Sequence, residues 1–255
     1  MKSQWECVLQ NLGEWTGSFT LIAASGEILE DIPSHISLTG TNDNQIMHLV
    51  LTRYYPITPD SSELAPKELV MDFSAPGAGA LFFETGAFSE GSIDANTPGR
   101  FGSEFCLVAP TKDRRLRIVQ IFDEASEFLR LTLIREQRQG SDAPEHPPLL
   151  LDDFVGTWQG QATILKPQRA ESETVFMETR QEASLEFERD GLAYRTWLLP
   201  DGAFSTCPVS VRSNTAFFME IGWLTALNQR QRLIRKYDAA GNWIALMLVM
   251  ETRNL

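Results

Sequence analysis

Leu12-Gly13-Glu14-Trp15-Thr16-Gly17 returns later in the chain as Val155-Gly156-Thr157-Trp158-Gln159-Gly160. Both copies run into a short stretch, Phe19-Thr20-Leu21-Ile22 and Ala162-Thr163-Ile164-Leu165, with the period of a half-buried strand. Working outward, further pairs follow in the same order. Gly86-Ala87-Phe88-Ser89 matches Gly202-Ala203-Phe204-Ser205, and Arg115-Leu116-Arg117-Ile118-Val119 matches Arg230-Gln231-Arg232-Leu233-Ile234. Phe122-Asp123 then matches Tyr237-Asp238, and Glu136-Gln137-Arg138 matches Glu251-Thr252-Arg253. One Gly-x-Trp means little, but an ordered series is the signature of an internal duplication. The chain reads as two homologous domains, 1–138 and 149–255. Residues 139–148, ending in Pro144-Glu145-His146-Pro147-Pro148, form a polar, Pro-rich linker between them.

Each domain reads as β-structure. Alternating or β-branched runs fall near 15–23, 34–39, 46–54, 68–73, 80–84, 103–108, 114–122 and 127–136 in the first. In the second they fall near 157–165, 173–188, 191–199, 207–212, 215–221, 229–237 and 242–252. Turn formers such as Thr41-Asn42-Asp43-Asn44 and Arg189-Asp190-Gly191 separate them. Helix is confined to two short pieces, one carrying Trp5, Val8, Leu9 and Leu12 and one over 150–155. With no βαβ rhythm, the expected architecture is all-β: two tandem antiparallel β-barrels with short flanking helices. A barrel of this size holds either a packed core or one small ligand.

Composition narrows the partners. The 255 residues carry 22 basic and 34 acidic side chains, a net charge of −12. That disfavours nucleic acid and anionic membrane surfaces, which select clustered Lys and Arg. No apolar stretch is long enough to span a bilayer, and Met1-Lys2-Ser3-Gln4-Trp5-Glu6 is unlike a secretory leader, so a soluble, cytoplasmic protein is expected. Cys7, Cys106 and Cys207 have no metal-ligand or redox-motif spacing. No nucleophile elbow, phosphate loop, dinucleotide fingerprint or His-rich pattern is found, so neither cofactor nor metal is expected. His35, His48 and His146 read as two strand histidines and a linker histidine.

A short helix followed by Gly-x-Trp-x-Gly at the first strand of a barrel resembles the calycin superfamily, which includes lipocalins and fatty-acid-binding proteins. The resemblance implies that Trp15 and Trp158 plug the barrels and that Arg138 and Arg253, from the last strands, pack over them. As a whole, with Arg-Leu-Ile-Arg-Lys-Tyr-Asp before Gly-Asn-Trp near its end, the chain is similar to an uncharacterised family of double lipocalin-like proteins of cyanobacteria and plastids.

Several side chains have both a structural and a functional reading. Glu136, Arg138, Glu251 and Arg253 alternate on the last strands and read as structural ion pairs or as ligand partners. Arg115 and Arg117, like Arg230 and Arg232, share a strand face. Outward they balance an acidic surface, and inward they clamp a carboxylate or phosphate. Glu84 lies between Phe83 and Thr85 and reads as an outward strand residue or as a carboxyl perturbed by aromatics. In the second domain Trp197, Phe217, Trp223 and Trp243 suit an apolar pocket, a plain core, or the face joining the barrels. That domain is richer in aromatics and lacks the acidic excess and the long loops 56–62 and 94–99 of the first. Its barrel is therefore the expected site, with Glu220 and Arg232 orienting one end of the ligand.

The function expected is a binding protein for a small hydrophobic molecule: a pigment, isoprenoid or acyl chain. The alternatives are a cofactor-independent lyase, isomerase or cyclase acting by confinement, as in the calycin-fold proteins that attach bilins, and an interaction scaffold with filled barrels. Whether the chain is an enzyme, and its oligomeric state, stay open at this stage.

Overall fold

Ser3 starts the chain's first element. Its hydroxyl accepts a hydrogen bond from the Glu6 amide, and the Glu6 carboxylate accepts from the Ser3 amide at 2.7 Å, a reciprocal cap on helix α1 (Gln4–Val8). A 3-10 turn over Leu9–Asn11 continues it into the first strand. The structure, a computed structural model, describes residues 2–58, 61–96, 99–167 and 172–253. Pro59, Asp60, Thr97 and Pro98 of the two long loops, and the last two residues of the second predicted domain, lie outside the described residues.

The first half forms one antiparallel sheet of nine strands. They are β1 (Gly13–Ala23), β2 (Ile28–Thr41), β3 (Ile46–Pro56), β4 (Leu64–Phe73), β5 (Ala80–Phe82), β6 (Phe88–Gly91), β7 (Phe101–Val108), β8 (Arg114–Phe122) and β9 (Phe128–Arg138). Their order is β4-β3-β2-β1-β9-β8-β7-β6-β5, so the first strand pairs with the last. The second half repeats the plan. It comprises α2 (Leu151–Phe154), β10 (Gly156–Leu165), β11 (Ser172–Gln181), β12 (Glu186–Arg189), β13 (Leu192–Leu198), β14 (Ala203–Pro208), β15 (Phe217–Ala226), β16 (Gln229–Tyr237) and β17 (Trp243–Thr252), in the order β11-β10-β17-β16-β15-β14-β13-β12. The molecule is thus two tandem antiparallel barrels with short helices leading into each. Among the described residues the ladder is open between β4 and β5, and again between β11 and β12.

Three predicted strands need correction. The single run over 173–188 is two strands, β11 and β12, parted at Glu182–Leu185. The turn at Gly86 sends the chain into β6, where no strand was expected. The run over 207–212 is displaced to β14. Val209 and Val211 alternate like a strand, but the Val211 amide donates to Ser126 and the Val209 carbonyl accepts from Phe128. A segment that looks like sheet by periodicity is joining the two barrels instead.

The largest core lies between the barrels. Even positions of β8, Leu116, Ile118 and Phe122, meet odd positions of β15, Met219, Ile221 and Trp223, all at 0% exposure. Both sheets are therefore buried on two faces through these strands, one against the partner barrel and one within. Polar contacts cross the same boundary. Gln120 donates to the Ser205 hydroxyl at 2.7 Å and to the Glu220 carbonyl at 3.0 Å, and Arg114 meets the Asp201 carboxylate at 2.6 Å.

Candidate functional site

Trp15 is fixed by its neighbours before any ligand is considered. Its indole N–H donates to the Asn11 carbonyl at 3.1 Å, and Arg115 and Arg138 each place a guanidinium 4.4 Å from its ring centroid. Arg138 also donates to the Leu12 carbonyl at 2.9 Å. Trp158 repeats the arrangement, with its N–H on Phe154, Arg230 at 4.2 Å, Arg253 at 4.9 Å, and Arg253 donating to Val155. Gly13 and Gly156, at φ +131° and +134°, take a backbone shape that leaves room for the Arg138 and Arg253 side chains beside them.

Beside each of these tryptophans lies a chain of four charges. In the first barrel Glu136 accepts from Arg115 at 2.5 Å and from Arg117 at 2.9 and 3.0 Å, while Arg117 reaches Glu104 at 2.7 Å. In the second, Glu251 accepts from Arg230 at 2.6 Å and from Arg232 at 3.0 Å, and Arg232 reaches Glu220 at 2.5 Å. Burial pushes the Glu136 carboxyl up, but Arg115 and Arg117 outweigh it and hold the group at about 2. Arg230 is drawn down to about 10 by burial and by Arg232, and both its terminal nitrogens lack a hydrogen-bond acceptor.

What lies beside these charges differs between the barrels. In the second, Ala162, Ile234, Met247 and Val249 form an apolar layer, and the Phe204 ring presses on Gly222. In the first, a cavity of about 630 Å³ remains. One wall is apolar, with Ile36, Leu38, Met47, Leu49, Phe73 and Phe82. The other carries Arg117, Glu104 and Glu90, and the segment at Ala75–Gly77 covers the unpaired seam between β4 and β5. The volume falls within the ~300–1,000 Å³ range of ligand pockets.

The structure divides the sequence-predicted residues. Arg117 lines the first cavity, and its donors are taken up by Glu104 and Glu136. Glu220 and Arg232 do meet, inside the second barrel. Phe217, Trp223 and Trp243 are in the core between the barrels, because alternation on β15 sends Phe217 and Trp223 to the face opposite Glu220. Phe217 stacks on Tyr237 at 4.6 Å, and Arg235 covers Trp243 at 3.6 Å. Trp197 borders a separate recess of about 450 Å³ at the inter-barrel junction, its N–H on the Ala24 carbonyl. Glu84 is an exposed turn residue that accepts from the Lys2 amide, not a strand position. The residues missed were Glu90, Met47 and Leu49. A signal existed in Glu104, which precedes Glu220 by the same offset that relates Gly86 to Gly202.

Cys7, Cys106 and Cys207 are buried free thiols, and burial raises Cys106 to about 12. Among the described residues no group of three or more His, Cys, Asp or Glu is placed to hold a metal ion, and no helix is long and apolar enough to cross a membrane.

Known proteins resemble this chain both in its halves and over its whole length. Residues 1–141 match the N-terminal domain of unknown function DUF3598, and residues 168–254 match the C-terminal domain of biogenesis factor required for ATP synthase 1. The crystal structure of a DUF3598-family protein of unknown function from Nostoc punctiforme superposes with a TM-score of 0.86 at 36% identity, covering 100% of both chains. A putative outer membrane protein from Bacteroides fragilis aligns over 97% of this chain and 99% of its own at 10% identity, with a TM-score of 0.25, too low to support an argument. No curated protein matches.

Proposed function

The chain belongs to the DUF3598 family, and on that premise we propose that it is a binding protein that holds one small hydrophobic molecule in its first barrel. A pigment, isoprenoid or medium acyl chain suits the space. The observation that carries this reading is the cavity of about 630 Å³ with an apolar wall, beside the unpaired seam between β4 and β5. A ligand there gains about 25 cal/mol for each Å² of apolar surface removed from water. The reading moves the binding barrel from the second half to the first, since the second half's aromatics are engaged between the barrels.

The same proposal treats 1–138 and 149–255 as two domains joined by 139–148, and the Trp plug beneath a last-strand Arg supports the calycin resemblance. The three free buried thiols suit the reducing cytoplasm. The test is to purify the protein from its own cells, extract it for mass spectrometry, and titrate the stripped protein with carotenoids, tetrapyrroles and alkyl chains. A stoichiometric extracted molecule, or saturable binding, is expected. An empty protein with no saturable binding overturns the proposal.

The match over 168–254 favours a second reading for the other barrel, as a scaffold for an assembly partner. Its apolar inner layer and buried chain of charges support a structural interior with a working outer surface. Co-purification of ATP synthase subunits with the tagged protein is the expected result. Their absence under crosslinking counts against it.

A further inference from the structure

We infer that the ligand of the first barrel presents a hydrogen-bond donor, foremost a protonated amine, to Glu90, and that carboxylates and phosphates are disfavoured there. This rests on the binding-protein reading and names the chemical class it takes. Glu90 on β6 stands directly opposite Glu104 on β7, so both carboxylates face the same cavity wall. Glu104 is occupied by Arg117. Among the described residues Glu90 has no hydrogen-bond or salt-bridge partner. Its carboxylate lies against Gly77, where a Cβ would crowd the Glu90 Oε1 oxygen at 2.9 Å.

The cations cannot serve an anionic ligand in its place. Arg117 directs Nε and Nη2 to Glu136 and Nη1 to Glu104, and Arg115 is bonded to Glu136 and stacked on Trp15. Arg235 acts on Glu90 only through its field, since its donors go to Tyr237, Gly79 and Ser92, and Asp72 of the lining is paired with His48, so Glu90 keeps a spare acceptor on the cavity side. Partial burial and the neighbouring Glu104 push the Glu90 carboxyl up and outweigh the opposing pull of Arg235, so a donor hydrogen-bonded to this carboxylate would be favoured. The chain's overall charge of −12 acts in the same direction on an approaching ligand.

The experiment compares three probes with one tail, decylamine, 1-decanol and decanoate, titrated calorimetrically into the full chain at pH 7. Decylamine is expected to bind at least tenfold more tightly than decanoate, with decanol between them. In Glu90→Gln, which keeps the side-chain shape at an exposed position, decylamine should weaken at least fivefold while decanol changes less than twofold. Decanoate binding as tightly as decylamine, or decylamine unaffected in E90Q, overturns the inference and leaves the binding-protein reading standing. Failure of all three probes to bind overturns both.

Discussion

Arg115 and Arg230 hold the same post in the two barrels. Each lies over the tryptophan of the first strand, Trp15 or Trp158, at 4.4 and 4.2 Å, and each donates through Nε to the glutamate of the last strand, at 2.5 and 2.6 Å. The carboxylates of Glu136 and Glu251 are thus buried ion-pair partners, and both have their pKa values lowered against the pull of burial by the arginines around them.

Stability should accordingly depend on acid. Glu136 sits at about 2 in the folded chain against an ordinary 4.5, so its contribution is complete above about pH 4.5 and is lost as pH falls toward 2. The loss should amount to about 3 kcal/mol from this group. Urea unfolding at pH 7, 4.5 and 3 measures it. Glu136→Gln should be less stable at pH 7 and show a flatter profile below 4.5. A wild-type curve as flat as the variant's would refute the assignment.

Gly17 and Gly160 should tolerate no side chain. A Cβ at Gly17 would overlap the Arg135 carbonyl oxygen, and one at Gly160 the Met250 carbonyl oxygen, both backbone atoms that cannot swing away. Either change to Ala should cost about 3 kcal/mol, at the upper end for overpacking. For a chain of this size that lowers Tm by roughly 6–12 °C. Gly140→Ala, with nothing within 4 Å of the added carbon but a φ of +83°, should cost about 1 kcal/mol. Equal melting temperatures for the three variants would contradict the packing described.

The two barrels should not fold apart. Leu116, Ile118 and Phe122 on one side and Met219, Ile221 and Trp223 on the other would each meet water if the chain were cut after Gly140. Each half alone should bind a hydrophobic dye and lose near-UV circular dichroism, and mixing should abolish the dye binding and restore the dichroism. A cooperative melt in either isolated half would mean that the shared core matters less than its burial suggests.

That shared core also explains which parts of the molecule the sequence revealed. The repeated strand plan was legible because Gly-x-Trp-x-Gly, the paired Arg-x-Arg and the terminal Glu-x-Arg make the same buried Trp–Arg–Glu contacts in both halves, and such contacts tolerate few alternatives. Even the pairing of Arg232 with Glu220 followed from strand order. The direction of Arg115 and Arg117 did not, because the choice was posed as interior against solvent. On β8 the face away from the barrel interior is buried too, by the second barrel, so alternation carries no polar side to read. Aromatic density is ambiguous for the same reason. Phe217, Trp223 and Trp243 look alike whether they line a pocket or join two barrels. The cavity in the first half is marked instead by ordinary Met and Leu residues on β2 and β3, and by a seam that depends on which strands fail to pair.

Filling that cavity gives the most direct check on where binding occurs. Leu49 is partly buried on β3, opposite Leu38 on β2 and Met71 on β4, and its side chain borders the 630 Å³ space. In Leu49→Trp the added ring has open volume to enter, so packed atoms need not move and the strain that usually accompanies overpacking is avoided. Tm should stay within about 3 °C of the parent, which limits the stability change to roughly 1 kcal/mol. Binding of 1-decanol should weaken at least tenfold, about 1.4 kcal/mol. The matched control is Ile164→Trp on the inner face of the second barrel, beside Met247, where the same addition should leave decanol binding within twofold. If Ile164→Trp abolishes binding and Leu49→Trp spares it, the ligand belongs to the second barrel, and the first-barrel cavity is only a gap behind the seam.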